Sequence, residues 1–419
     1  MKKKIMAIAA SVVSCAMLAS GLSACGSSSS SDDGNTVELM GAPGEGSVQR
    51  KALEQIVDKF EKANPDIKIK LVVGSSSYES DIKVRLSGNN APDIFNTHGW
   101  SRDRYANFLE PLQDRPWAKN VSPVIDSSIK DSKGNFYTLP MVMAISGIAY
   151  NATVLDKAGV NPDDITTWDA FGEACEKVKA IGATCIGASG KEKWTGGTMV
   201  DYIAPGMFTD KQLDEMKDGK FNTSAYQKMA EMIAEWSKKG YFNVDYTAAT
   251  SDDISKQMAN DTMAFTFQGI GVSSSIVNYN PDAKLGFIPL PAADGDPYII
   301  SGEDYALGVS KTSKHKEAAL KFIDFAAQPD NYKIYSTATN NVPAIEGVDV
   351  NVGVMTDSYN KWITEKNTKT IPVFDRTYLP NGIWDAMCST TDGLLTGQMD
   401  AKVASEQMNT QFTSLYGKK

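Results

Sequence analysis

Between Thr36 and Gly99 the chain alternates between two hydrophobic periods, and that alternation limits the fold more than any other feature. "TVELMGAP" (36–43) reads as a strand running into a Gly-rich turn. In "SVQRKALEQIVDKFEKANP", Leu53, Ile56, Val57 and Phe60 recur at helical spacing, and Asn64-Pro65 ends the helix. "DIKIKLVVG" alternates as a strand, a short helix follows over 78–87, and "APDIFNTHG" is a further buried strand. Strand, helix, strand, helix, strand implies a parallel sheet with helices on both faces, which places the chain in the α/β class.

The order then changes. "NFYTLPMVMAISGIAYN" holds β-rich runs close together, and helices start near Asn151 and Thr167. A strand is predicted over 184–187, and helices over roughly 198–208 and 224–238. "DTMAFTFQG" and "AKLGFIPLP" read as strands, and "PYIISGEDYALGVS" as two short β runs split at Gly302-Glu303-Asp304. "KHKEAALKFIDFAAQP" is amphipathic, with Ala319, Phe322, Ile323 and Phe325 or Ala326 on its apolar side and Pro329 beyond its end. The last third is mostly helical. A regular run of eight βα units is not there, which argues against a TIM barrel. With 419 residues, two domains or lobes are expected rather than one oversized core.

The start of the chain has its own logic. Lys2, Lys3 and Lys4 precede an apolar or small stretch from Ile5 to Leu22, interrupted by Ser11, Ser14, Ser20 and Gly21. That is the shape of a secretory signal rather than of a membrane span. Leu22-Ser23-Ala24-Cys25 resembles a bacterial lipobox, which implies removal of residues 1–24 and lipid on Cys25. Residues 25–35, rich in serine, would be a flexible tether. Of the remaining cysteines, Cys175 and Cys185 flank a predicted helix, turn and strand; they could pair, and the sequence leaves this open. Cys388 is expected to be a buried free thiol. A formal charge of −9, made more acidic by loss of three leader lysines, argues against nucleic acid as a partner. Two histidines and no His/Cys cluster give no basis for a metal site, and neither a Walker loop nor an ordered Ser-His-Asp set appears.

Several segments together resemble the extracellular solute-binding proteins of bacterial ABC importers, in the carbohydrate-binding, maltose-binding-protein-like family 1. "KALEQIVDKFEKANPDIKIKLV" is similar to that family's first helix and second strand, and "APDIFNTHG" to its Pro-Asp-Ile strand. "YTLPMVMAISGIAYNATVL" resembles its crossing between lobes, and "DTMAFTFQG" a following strand. "DYALGVSKTSKHKEAALKFIDFAAQP" resembles its return crossing, and "IWDAMCSTTDGLLTGQMDAKVASEQM" its last helices. The resemblance implies a two-lobe periplasmic-binding-protein-like fold with discontinuous lobes and a ligand cleft between them. Mapped here, lobe one is 36–142 and 265–302, lobe two is 147–262 and 306–419, and hinge crossings fall near 143–146, 263–269 and 302–305. It further implies a non-enzymatic receptor that captures an oligosaccharide by cleft closure, without cofactor. Such a receptor delivers its ligand to ABC permease subunits from the outer face of the cell membrane, and a monomer is expected.

A saccharide presents alternating hydroxyls and flat C–H patches, so its site needs aromatic faces and planar polar groups. Trp100, past the "PDIF" strand, and Trp194, in a Gly-flanked loop, are candidate platforms. Trp384 falls where the family places a stacking tryptophan. Glu45 heads the first helix, and His98 sits beside the third strand's end. Gln268 ends a strand, Glu303 and Tyr305 flank Asp304 at a crossing, and Arg376 and Tyr378 precede Trp384. An arginine fork suits paired hydroxyls. Two departures from the family pattern stand out: Ile270 and Gly271 follow Gly269 where relatives often place a tryptophan, and the apolar Val142-Met143-Ala144 replaces an acidic cleft residue. The ligand therefore need not be maltose-like. The alternatives are a secreted glycoside-active enzyme, which needs a fixed pair of carboxylates, and a receptor for polyamine or peptide, kept open by Glu303-Asp304.

Overall fold

The structure, a computed structural model, describes residues 35–74, 78–97 and 99–417. The expected leader, the lipidated Cys25 and His98 lie outside the described residues. The described strands are β1 (Thr36–Ala42), β2 (Lys68–Val73), β3 (Ile94–Asn96), β4 (Leu139–Pro140), β5 (Met143–Ser146) and β6 (Ile148–Asn151). They continue with β7 (Thr184–Gly187), β8 (Met263–Thr266), β9 (Leu285–Ile288), β10 (Ile299–Glu303), β11 (Ala306–Val309) and β12 (Thr370–Pro372).

The first sheet runs β2-β1-β3-β11-β4. Its opening half is the parallel unit the periodicity predicts: β1 pairs in parallel with both β2 and β3. The helix Val48–Ala63 connects β1 to β2. Ser47 caps it, its hydroxyl accepting from the Arg50 N–H at 3.1 Å, which satisfies a donor that the first turn leaves orphaned. Ala52, Leu53, Ile56, Val57 and Phe60 form its buried face. Phe60 packs edge-on against Phe322 and Phe325, with centroids 5.2 and 5.4 Å apart. Complete burial of such a ring contributes about 1.5–3 kcal/mol. Phe322 belongs to the helix Lys316–Ala326, so the segment after β11 covers the first sheet.

The second sheet runs β7-β8-β6-β9. Phe171, Trp236, Phe265 and Phe267 pack around one another in its core, with Phe171 5.1 Å from Phe265. The helix Trp168–Ala180 turns at Gly182 into β7, and this brings the Cys175 and Cys185 Cα atoms to 5.1 Å, where the two form a disulfide. Cys388 is a buried free thiol, and burial, with nearby carboxylates adding, pushes it up to about 12.

A third sheet, β12-β10-β5, joins the lobes. β5 leads from β4 in the first sheet to β6 in the second, and β10 leads from β9 back to β11; the two pair antiparallel. The chain passes over again after Glu346, whose N–H donates to Asn120 O in the first lobe. It reaches the second sheet where Gly353–Met355 packs on β9.

These pairings correct the expected lobe boundaries. β8 and β9 flank β6 in the second sheet, so 263–269 is no crossing and 265–302 does not belong to the first lobe. Conversely, β11 sits between β3 and β4, so the segment from Ala306 to Glu346 belongs to the first lobe. The reason is physical: which strands pair is decided by contacts far apart in sequence, and local periodicity carries no record of them. Helices that escaped the periodic reading include Asp210–Lys217, Ser251–Ala259 and Val272–Tyr279.

Candidate functional site

The lobes and the hinge sheet enclose a cleft of about 660 Å³. One helix builds much of its second-lobe wall. Trp194, Thr198, Asp201 and Tyr202 of the helix Trp194–Ile203 are spaced to share one face, and all line the cleft. Trp384, the first residue of the helix Trp384–Leu395, lies beside them. Gly197 makes that proximity possible, since a Cβ there would stand 2.5 Å from Cys388 Sγ and 3.2 Å from the Trp384 ring. Ser251, Asp252 and Ser255 come from the helix Ser251–Ala259, Gln268 to Gly271 from the loop after β8, and Val272 from the start of the helix Val272–Tyr279. The first lobe adds Gln49, Trp100 and Asn341, and the hinge adds Ala144, Ile145, Ser146, Asp304 and Val373. The Ser146 and Tyr202 hydroxyls hydrogen-bond at 3.0 Å.

The polar centre of the cleft is Asp201 with Arg376. Asp201 is buried, and its Oδ1 accepts from the Asp375 N–H at 2.7 Å. Burial, then the neighbouring Asp375 carboxylate, holds Asp201 well above the ordinary aspartate range, against the pull of Arg376. The guanidinium of Arg376 is mostly withdrawn from water, which disfavours charge, but Asp375, Asp201, Asp304 and Glu303 outweigh that and keep it a cation. Its Nη1 donates to the Glu303 carbonyl at 2.5 Å, and its Cζ lies 5.2 Å from the centre of the Trp100 ring. Arg104 also lies over that ring, at 4.2 Å.

Trp100 is positioned by a buried carboxylate. Glu303 accepts from the Thr97 hydroxyl at 2.5 Å, the Gly99 N–H at 3.2 Å and the Ser101 hydroxyl at 2.6 Å. It thereby ties the loop after β3 to the hinge strand β10. Burial raises the Glu303 carboxyl, and the Ser101 and Thr97 hydroxyls partly offset this. Gly99 has φ +87°, and a Cβ there would sit 2.2 Å from Arg376 Nη1, so only glycine lets the guanidinium close on the loop.

Of the residues singled out from sequence, Trp100, Trp194, Gln268, Arg376 and Trp384 line the cleft. Others do not. Glu303 is 0% exposed and faces the loop it holds. Tyr305 is buried in the first-lobe core, its ring stacked on Tyr335 at 5.1 Å. Alternation past β10 sends Glu303 and Tyr305 away from the cleft and leaves Asp304 to line it. Glu45 is exposed in the turn before the first helix, apart from the cleft. Tyr378 lines a separate cavity behind Arg376. Residues missed from sequence include Asp201, Tyr202, Thr198, Asp252 and Asn341. The first three share a helical face with Trp194, a pattern present in "WTGGTMVDYI".

The arrangement offers flat indole faces, paired hydroxyls, carboxylates and one fixed guanidinium around an open groove, a donor set suited to holding a polyhydroxylated molecule. Residues 45–333 match the family described as "Bacterial extracellular solute-binding protein". The chain is 30% identical over 376 residues to the melibiose/raffinose/stachyose-binding protein MelE of Bacillus subtilis strain 168, covering 88% of this chain and 87% of that one. It superposes on a sugar transporter from Bacillus licheniformis solved in complex with stachyose, with a TM-score of 0.83 and 31% identity, over 91% of this chain and 100% of that one. A Bacillus subtilis binding protein solved in an open conformation gives a TM-score of 0.80 at 28% identity, over 91% and 97%. With its α/β lobes, hinge sheet and intervening cleft, the chain belongs to the bacterial extracellular solute-binding protein family.

Proposed function

We propose that the chain captures an oligosaccharide of the melibiose, raffinose and stachyose type in the cleft between its lobes and hands it to the permease of an ABC importer. The observation that carries this reading is the meeting of Trp194 and Trp384 from one lobe with Trp100 from the other around the Asp201–Arg376 centre. Relatives named for those sugars match nearly the whole chain and support the choice of ligand. Rings would take the C–H faces of the sugar, and Arg376, Asp201, Asp304 and Gln268 its hydroxyls. Ligand bridging both lobes would favour a closed state about the hinge sheet, and that state would dock on the permease. In the same reading the chain makes and breaks no bond, acts as a monomer and is held on the outer membrane face by lipid on Cys25.

Calorimetric titration with melibiose, raffinose, stachyose, malto- and xylo-oligosaccharides, followed by recovery of the sugar, tests this. Saturable binding of the galactose-containing sugars with the sugar returned intact is expected. Absence of binding to every sugar, or cleavage of one, overturns it.

A further inference from the structure

Behind the cleft lies a second cavity of about 270 Å³. It shares Trp100 and Arg376 with the main cleft, so these two side chains form the partition between the spaces. Like the cleft, it lies between the lobes: Arg102 and Asp103 come from the first, and Tyr378, Asn381 and Tyr416 from the second. The lobes touch here directly, Arg104 Nε donating to Asn381 Oδ1 at 2.7 Å.

From this geometry we infer that the second cavity is an additional saccharide subsite, which receives the far end of a ligand too long for the main cleft. The inference rests on the reading of the main cleft as an oligosaccharide site. The chemistry of the walls repeats that of the cleft. Tyr378 and Tyr416 supply aromatic rings, and the Asn381 amide keeps its –NH2 donors while its oxygen serves Arg104. Two polar atoms at the partition, Arg376 Nε and Thr377 Oγ1, are buried without a hydrogen-bond partner among the described residues. Arg376 Nε has the Asp375 carboxylate only at 3.7 Å. Unpaired buried polar groups need an explanation; both atoms are closed off in this structure, and a shift of the Arg376 side chain that lets a sugar run from one space to the other would open them to its hydroxyl acceptors. The cavity is too small to stand as the primary site, and its place on the inter-lobe seam lets hinge closure grip both ends of one ligand.

The test is affinity against ligand length. Melibiose, raffinose, stachyose and the next longer homologue are titrated into the full chain and into Tyr378→Ala and Tyr416→Ala. Tyr416 is 43% exposed against 8% for Tyr378, so its variant stays informative if loss of the buried Tyr378 unsettles the fold. Affinity of the parent should rise towards the longer members, and each variant should lose about tenfold for those members while binding melibiose as the parent does. Parent affinity independent of length, or variants that lose nothing or lose equally for every sugar, would overturn the subsite while leaving the main cleft's reading intact. Absence of parental binding to the whole series would instead overturn that reading and this one with it.

Discussion

Trp384 opens its helix with a half-buried ring held against Gly197, and it lines the cleft from the second lobe. Trp384→Ala should weaken sugar binding by about 1–3 kcal/mol, by analogy with base stacking on aromatic side chains, with calorimetry as the check. Asp201 makes a different prediction. Its folded proton affinity is raised above the ordinary aspartate value of 3.8, so above that pH the folded state holds more protons than the unfolded one. Stability from this group is therefore present at low pH and lost as pH rises through the raised value. Asp201→Asn keeps the acceptor for the Asp375 N–H and removes the titration. Its thermal midpoint should fall less than the parent's between about pH 4 and pH 8; equal slopes would refute the assignment. At this scale the sequence was readable where chemistry is distinctive, as for Trp100, Trp384 and Arg376. It was unreadable where phase decides, as at Glu303, Asp304 and Tyr305: all are plausible ligand groups, and only the pleat tells which one meets the cleft.

Elements were legible in proportion to their local signals. The helix Val48–Ala63 announces itself through Ser47, its apolar stripe and Asn64-Pro65. The helix Ser251–Ala259 has few apolar residues to mark a face, although the reciprocal cap between Thr250 and Asp253 was in the sequence to be found. The helix Val272–Tyr279 begins after Gly271 with no side-chain cap and contains three consecutive serines, which are weak helix formers. Two predictions belong here. Gly99→Ala should destabilise the chain by about 1–3 kcal/mol, because the added Cβ meets Arg376 and the left-handed backbone at Gly99 strains any side chain; a denaturant titration reads this. Replacing both Cys175 and Cys185 by alanine should cost about 2–3 kcal/mol through the freed loop. Sugar affinity should be unchanged, since neither cysteine lines the cleft.

At the scale of the molecule, the parallel β1–β3 core and the presence of lobes were legible, whereas membership of the lobes was not. β11 entering the first sheet and β9 the second are pairings between residues far apart in the chain, enforced by burial of both sheet faces rather than by any local motif. The same topology routes β5 and β10 through one small mixed sheet, in which the two pair antiparallel, so these two connections between the lobes share a seam. Arg376, just after β12, reaches from the second lobe to the Glu303 carbonyl and the Trp100 loop, which couples the cleft wall to that seam. Small-angle scattering should therefore show the radius of gyration fall when saturating raffinose is added. The most direct measurement of all is a crystal structure of the chain grown with raffinose. The sugar is predicted to lie in the cleft against Trp384, hydrogen-bonded to Arg376 and Asp201 and touching Trp100 of the other lobe. A sugar seated on one lobe alone, or outside the cleft, would contradict the account.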